Sequence, residues 1–399
     1  MVNKNKKISE GAYGCIFKPG YQCNGKVITS DKYITKIQRK AETSNKEATI
    51  SELVRKINHY EDFFSPIIEA PCTIDLATIE DDEIKTCGFI ADQRKSSYES
   101  NKIKYVGKRT LSEQLAHLFK KKPQNIFKHI FETHLYLLDG FKLLRDAGII
   151  HFDVKENNIV CKDKTSVPII IDFGLSIEVA KLPDENYKYA FFTYGPDYGP
   201  WCIDIVFLTY MANKLGEGWQ DITIDQKSLL LVISDFFNKN DAILTLFSKE
   251  EQTEYRTRIA NELTNKFINT KSTWKQMADY LVGFSGTWDN YAVCVVFLYI
   301  IKDMDLSIYK EAFPKLDEYI KLMKSIIVAS FEQRSSVEQT KEAILKFGRM
   351  INNMEKRNIN RALFDGSREP DYHKQIYHKI MTTKIEHLKN ERRIYDVAF

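Results

Sequence analysis

The chain has 399 residues, 43% of them apolar, enough to bury at least one large core and to suggest two or three domains or lobes. A net charge of +4 over that length calls for neither nucleic acid nor a membrane surface as partner, and the longest unbroken apolar run, Ala292 to Ile301, is too short to span a bilayer. The start Met1-Val2-Asn3-Lys4 lacks the apolar core of a signal peptide, and the seven cysteines show no CxxC pair, so a soluble intracellular protein with single buried thiols is expected, without a disulfide framework or structural zinc.

Residues from Ile8 to Ile37 alternate apolar positions with turn residues, which predicts a short antiparallel meander. A helix follows, with Glu47, Ile50, Leu53, Val54 and Ile57 at helical spacing and Ser44 or Asn45 as its N-cap. Pro71 to Tyr105 reads as further strands broken by the acidic turn Glu80-Asp81-Asp82-Glu83. Ile130, Phe131, Leu135, Leu138, Leu143 and Leu144 mark a long buried helix that stops near Gly148. Ile159-Val160-Cys161 and Ile169-Ile170-Ile171 read as short strands, and residues 201 to 350 are almost wholly helical in pattern. From Ile351 to Phe399 there are 10 Lys/Arg against 7 Asp/Glu, interleaved, which describes a solvated helical tail better than a nucleic-acid patch.

The chemistry concentrates in His151-Phe152-Asp153-Val154-Lys155-Glu156-Asn157-Asn158, followed 14 residues after Asn158 by Asp172-Phe173-Gly174. Asp153 can accept or orient the proton of an attacking hydroxyl, and Lys155 can neutralise charge on a moving phosphoryl group. Asn158 and Asp172 offer the oxygen ligands that Mg²⁺ prefers. Upstream, Gly11 and Gly14 lie between two predicted strands, where they either mark a hairpin or leave backbone amides bare enough to close over phosphates. Lys36 sits inside a half-buried strand and needs an acidic partner there, with Glu47 the first choice and Glu52 the alternative. His151 reads as a structural histidine bracing the Asp153 loop, and Trp201, Trp219, Trp274 and Trp288 as packing residues.

In this order the motifs resemble the eukaryotic-type protein kinase superfamily over about residues 8 to 345. The resemblance implies that Gly11, Gly14 and Ile16 cover ATP and that Lys36, paired with Glu47, holds its α and β phosphates. It also implies that Lys104 and Val106 offer hinge contacts to adenine, with Ile103 as gatekeeper. Lys155 two residues after Asp153 matches the serine/threonine type. Gly-Ala-Tyr-Gly-Cys-Ile-Phe-Lys-Pro-Gly, Cys23 nearby and a large insertion look like kinases of giant nucleocytoplasmic large DNA viruses, which would work in host cytoplasm or be carried in virions.

Some positions depart from the family pattern. Ser9 replaces a loop glycine, and Ile34 stands where a small residue usually sits above adenine. Phe152 replaces the arginine that meets a phosphorylated activation loop, so activity independent of phosphorylation at Ser176, Thr193 or Tyr194 is expected. Tyr194-Gly195-Pro196-Asp197 resembles the end of the activation segment, with Arg334 as the ion partner of Asp197. Asp204 and Asp289 compete for the helix aspartate beneath the His151 loop, and Asp289 fits better.

The expected fold is α+β and bilobal, of the protein-kinase type. Residues 1–106 form a small antiparallel-sheet lobe with one main helix that binds nucleotide. Residues 107–350 form a larger, mainly helical catalytic lobe, with a helical insertion over roughly 201–285, and 351–399 a basic helical extension. The implied reaction is transfer of the ATP γ-phosphoryl group, with Mg²⁺, to serine or threonine of a protein substrate. A nucleotide-binding pseudokinase scaffold and a small-molecule kinase of related fold are the competing readings.

Overall fold

The computed structural model describes residues 5–11, 14–40, 42–91, 97–182, 187–311 and 313–349. The 351–399 extension and Ala12-Tyr13 of the glycine segment lie outside the described residues. Within them, a strand-rich N-terminal region precedes a larger, mostly helical one. The chain divides into two compact units, the first holding residues up to Gln114 together with Asn157–Ser176. The second holds Leu115–Glu156 and, among the described residues, 177–349. The segment expected to carry the chemistry is therefore shared, Asp153 and Lys155 belonging to the second unit and Asn158 and Asp172 to the first.

The first unit is built on five antiparallel strands in the order β1-β2-β3-β6-β5, with β1 at Lys6–Gly11, β2 at Gly14–Lys18, β3 at Tyr33–Arg39, β5 at Cys72–Ile74 and β6 at Tyr98–Lys104. Side chains alternate across the sheet, so residues opposite one another share a face. Cys15, Phe17, Ile37 and Tyr98 fall on one face and pack with Tyr21, Ile74, Ile79, Ile84, Cys87 and Ile90 into a core. The other face carries Ile16, Lys36 and Asn101 in one row and Gly14, Gln38 and Glu99 in the next. Gly14 is required by close approach, since a Cβ there would lie 2.1 Å from the Ile37 carbonyl oxygen. A second sheet, in the order β4-β10-β9-β7, joins β4 at Phe64–Ser65, β7 at Arg109–Thr110, β9 at Ile159–Cys161 and β10 at Pro168–Ile171.

Two expectations for this unit are corrected. The helix α1 spans Glu42–Arg55, so Ser44 and Asn45 lie inside its first turn rather than capping it. Four of the seven cysteines are also paired, Cys15 with Cys87 and Cys23 with Cys72, leaving Cys161, Cys202 and Cys294 as buried thiols. Cys15 and Cys87 meet because both are buried in the same core, Cys15 from β2 and Cys87 from the end of the short turn Asp82–Thr86, a proximity that spacing alone does not reveal.

In the second unit the helix Ile126–Asp146 ends where expected, with Gly148 in the left-handed region at φ +71°. Strands β8 (Ile149–Ile150) and β11 (Ile177–Glu178) pair just before and after the Asp153 and Asp172 segments. The helix Trp288–Asp303 is apolar on every side because it runs through the interior, with Tyr291, Val293, Cys294, Val295 and Phe297 fully buried. Among the described residues no single helix is long and apolar enough to cross a membrane. Between Trp201 and Ser285 the chain forms a series of helices, two of them started by capping boxes, Ser248 with Glu251 and Thr273 with Gln276.

Candidate functional site

In the first unit the charges meet around Lys36. Its strand places the ammonium under α1, where Nζ lies 3.2 Å and 3.0 Å from the two Glu47 oxygens. It lies also 3.0 Å from Asp172 Oδ1, 136 residues away in sequence. Gln38, on the same strand face, donates from Nε2 to Glu47 Oε2 at 3.4 Å. Glu52, the alternative partner, is exposed on α1. Burial works against a charged Lys36, but the carboxylates of Asp172 and Glu47 outweigh it and hold the ammonium above the ordinary lysine range. Burial pushes the Glu47 carboxyl upward, against the pull of Lys36.

Two carboxylates around one ammonium leave this cluster one negative charge in excess. Asp172, with its side chain 41% exposed and its backbone at φ +64°, is the open member of the three. The Phe173 ring meets Phe64 edge-on at 6.1 Å, anchoring the turn after Asp172. Asn158 is buried in the turn Glu156–Asn158. Among the described residues no group of three or more His, Cys, Asp or Glu could hold a metal as a closed cage. Hard oxygens with surplus negative charge fit Mg²⁺, which takes one or two protein oxygens and completes its shell from water and phosphate.

The remaining first-unit candidates flank this cluster. Ile16 is half-buried and pairs with Lys36 across β2 and β3, and Ile34 pairs with Ile103 across β3 and β6. Gly11 has open space where a Cβ would point. Lys104 ends β6, its carbonyl accepting from the Ser65 hydroxyl at 2.9 Å, and Val106 is half-buried just beyond. A carbonyl has a second lone pair, so that bond leaves room for another donor.

In the second unit Asp153 is held by two donors. The Tyr198 hydroxyl donates to Oδ1 at 2.6 Å, and Lys155 Nζ lies 3.2 Å from Oδ2. The loop beneath is tied to Asp289, whose Oδ2 accepts from the His151 amide at 2.8 Å and whose Oδ1 accepts from the Phe152 amide at 3.0 Å. Burial pushes the Asp289 carboxyl up, and His151 and these two amides pull it back. Phe152 sits at φ +68°, a conformation that costs a bulky residue about 1–3 kcal/mol. The hydrogen bond its backbone N–H donates to Asp289, a 3.0 Å hydrogen bond from Trp201 Nε1 to its carbonyl, and ring contacts with Trp201, Phe191 and Trp288 hold it there. Phenylalanine at this position thus completes an aromatic cluster.

Over 194 residues, 46% of this chain, the sequence is 26% identical to a probable serine/threonine-protein kinase, fnkE, of Dictyostelium discoideum. The match covers 12% of that protein's length. The chain has a distant, partial likeness to a protein kinase. No protein-family model matches it.

Of the two competing helix aspartates, Asp289 is the one beneath the His151 loop. Asp204 has another role, and here the expected pairing of Arg334 with Asp197 is corrected. Arg334 grips Asp204 through two nitrogens at 2.9 Å and 2.8 Å, with both side chains fully buried, and Trp288 Nε1 donates to the same carboxylate at 3.1 Å. A buried guanidinium needs an equally buried carboxylate, and Asp197 is exposed. Of the three activation-segment hydroxyls named from sequence, Ser176 is fully buried and Tyr194 donates to Asp235 at 2.8 Å. Tyr198 was not singled out from sequence, because only the folded chain brings its hydroxyl, 45 residues downstream, onto Asp153.

Proposed function

We propose that the chain is a serine/threonine protein kinase that transfers the γ-phosphoryl group of ATP to hydroxyls of a protein substrate. The observation that carries this reading is the buried Lys36 ammonium bonded at once to Glu47 and Asp172. A lysine braced in this way presents a fixed positive charge to phosphate oxygens, while the Asp172 carboxylate, its side chain 41% exposed, offers a hard oxygen to a cation. In this reading Lys36 binds the α and β phosphates, Gly11, Gly14 and Ile16 cover the nucleotide, and Lys104 and Val106 meet adenine. Asp172 and Asn158 hold Mg²⁺. The metal supplies neutralisation of phosphate charge when bound.

Asp153 orients the acceptor hydroxyl and takes its proton, and Lys155 offsets the charge that develops on the moving group. The alcohol oxygen forms a bond to the γ phosphorus, the bond to the β,γ-bridging oxygen breaks, and ADP departs. Distant kinase similarity supports the general class, and the Lys155 spacing supports the serine/threonine type. The test is transfer of labelled phosphate from ATP to a generic basic protein by the wild-type chain, Asp153→Asn and Asp172→Ala. Label with the wild type alone supports the proposal. Equal background from all three would leave a nucleotide-binding scaffold as the better description.

A further inference from the structure

Both disulfides lie in the first unit, and both tie one segment to the neighbourhood of Gly14. Cys15 follows Gly14 on β2 and is bonded to Cys87, while Cys23, in the turn after β2, is bonded to Cys72 at the start of β5. The chain from Cys72 to Cys87 is therefore a strap fastened at both ends, on the face of β2 opposite Lys36. Between Leu76 and Thr86 it runs in short turns and adds no strand to the sheet, so backbone pairing does not hold it there. Ile79 and Ile84 reach into the core beneath. At its rim the strap meets β1: the Lys7 N–H donates to Glu83 Oε1 at 2.8 Å, and the Lys7 ammonium bonds to the Thr86 carbonyl and, at 2.6 Å, to Glu10. Such polar contacts at a surface hold weakly on their own, so the two covalent links decide how firmly the strap grips β1 and β2. The links differ in access. Cys23 is exposed and Cys72 half-buried, whereas Cys15 and Cys87 are fully buried.

We propose that the strap is a redox-controlled brace on the β1–β2 hairpin: oxidised, it holds the hairpin in position over a nucleotide, and reduction, entering at Cys23, lets the hairpin go. The inference rests on the reading above that Gly11, Gly14 and Ile16 cover ATP. A dithiol reductant supplies two electrons and two protons for each bond. Its thiolate attacks Cys23 Sγ, the Cys23–Cys72 bond breaks, and Cys72 leaves as a thiolate that takes up a proton. The second sulfur of the reductant then displaces Cys23, and the reductant departs as its own disulfide. With one end of the strap free, Cys15 and Cys87 become accessible to the same exchange. A released hairpin that covers the nucleotide about one tenth of the time lowers the apparent affinity about 10-fold.

The experiment treats the full oxidised chain with dithiothreitol and follows three quantities. These are thiols trapped in denaturant and located by peptide mass spectrometry, amide exchange in β1 and β2, and calorimetric affinity for a non-hydrolysable ATP analogue. Thiols should appear at Cys23 and Cys72 before Cys15 and Cys87, exchange in β1 and β2 should quicken, and affinity should fall about 10-fold. Reoxidation with oxidised glutathione should restore the affinity, and Cys15→Ser with Cys87→Ser should bind as the reduced wild type does. Equal affinity in the oxidised and reduced chains would overturn the inference and leave the kinase reading intact. Thiols appearing first at Cys15 and Cys87 would overturn the entry at Cys23. Loss of helical circular dichroism on reduction would overturn it too, the bonds then being needed for folding itself. A folded chain that binds no analogue in either state would remove the nucleotide reading and the inference together.

Discussion

Two buried ion clusters in this chain use the same chemistry with opposite balance. Around Arg334 one guanidinium meets one carboxylate, Asp204, in a two-point grip with no exposure on either side chain. Around Lys36 one ammonium meets two carboxylates, and one of them, Asp172, remains 41% exposed. The first arrangement is neutral and closed, which suits a structural joint. The second is charged and open, which suits a site whose remaining partners are a cation and phosphates. Burial of an ion pair therefore does not by itself mark function here; the proposed function rests on a second carboxylate at the same ammonium and on the exposure of that carboxylate.

That contrast is tested most strongly by neutralising its open member. Asp172→Asn removes the surplus charge of the Lys36 cluster, so phosphate transfer should fall by about 10³-fold, the range seen when one electrostatic stabiliser is lost. Urea unfolding should shift by less than about 1 kcal/mol, because the group lost is substantially exposed and its loss leaves Lys36 balanced by Glu47. A large loss of stability would mean that Asp172 belongs with the closed cluster.

The converse substitution is Arg334→Met, which leaves Asp204 buried without its cation. Breaking a buried pair from one side costs about 3–5 kcal/mol, so the urea midpoint should drop sharply. Asp204→Asn with Arg334→Met should recover part of that loss, since neither charge then stays unpaired. An unchanged midpoint in the single variant would show that water reaches Asp204.

The strand meander, α1 and the helix Ile126–Asp146 were legible because their periods of 2 and 3.6 are local signals. Lys36, Glu47 and Asp172 could be grouped from residue type and order, and in the folded chain their side chains meet. The pairings of Arg334 with Asp204 and of Cys15 with Cys87 were not legible, nor was the Tyr198 contact to Asp153. Each joins positions 45 to 130 residues apart. In each, the partner is set by which side chains share a buried space. Asp197 looked suitable for Arg334 by its motif, yet it lies on the surface, and desolvation decides in favour of Asp204.

The closed interior of the second unit also predicts a pH response separate from the site. His134 is fully buried, stacked on Phe297 at 4.3 Å and bonded through Nδ1 to the Tyr319 hydroxyl at 2.6 Å; burial pushes its imidazole down to about 3. The folded protein thus keeps His134 neutral where the unfolded chain, with an ordinary value near 6.5, already binds a proton. Stability from this group is present above pH about 6.5 and is lost as pH falls toward 3, by about 2 kcal/mol at pH 5. Unfolding at pH 7 and pH 5 should show that loss in the wild type and a smaller one in His134→Asn. Equal losses would assign the acid sensitivity to other groups.

The smallest expected effect lies at Ile34, which shares the Lys36 face of β3 and stands opposite Ile103. If nucleotide enters beside Lys36, the two extra branches of this side chain occupy room that a small residue would leave to the adenine ring. Ile34→Ala should then tighten binding of a non-hydrolysable ATP analogue by about 3- to 10-fold, close to 1 kcal/mol, measured by calorimetry. The loss of a half-buried side chain costs about 1 kcal/mol of fold stability, so affinity is compared well below the melting transition. Weaker binding would show that Ile34 contributes apolar contact to the base, and no change would move adenine away from the Ile34–Ile103 pair, and with it the assignment of Lys104 and Val106 as its backbone partners.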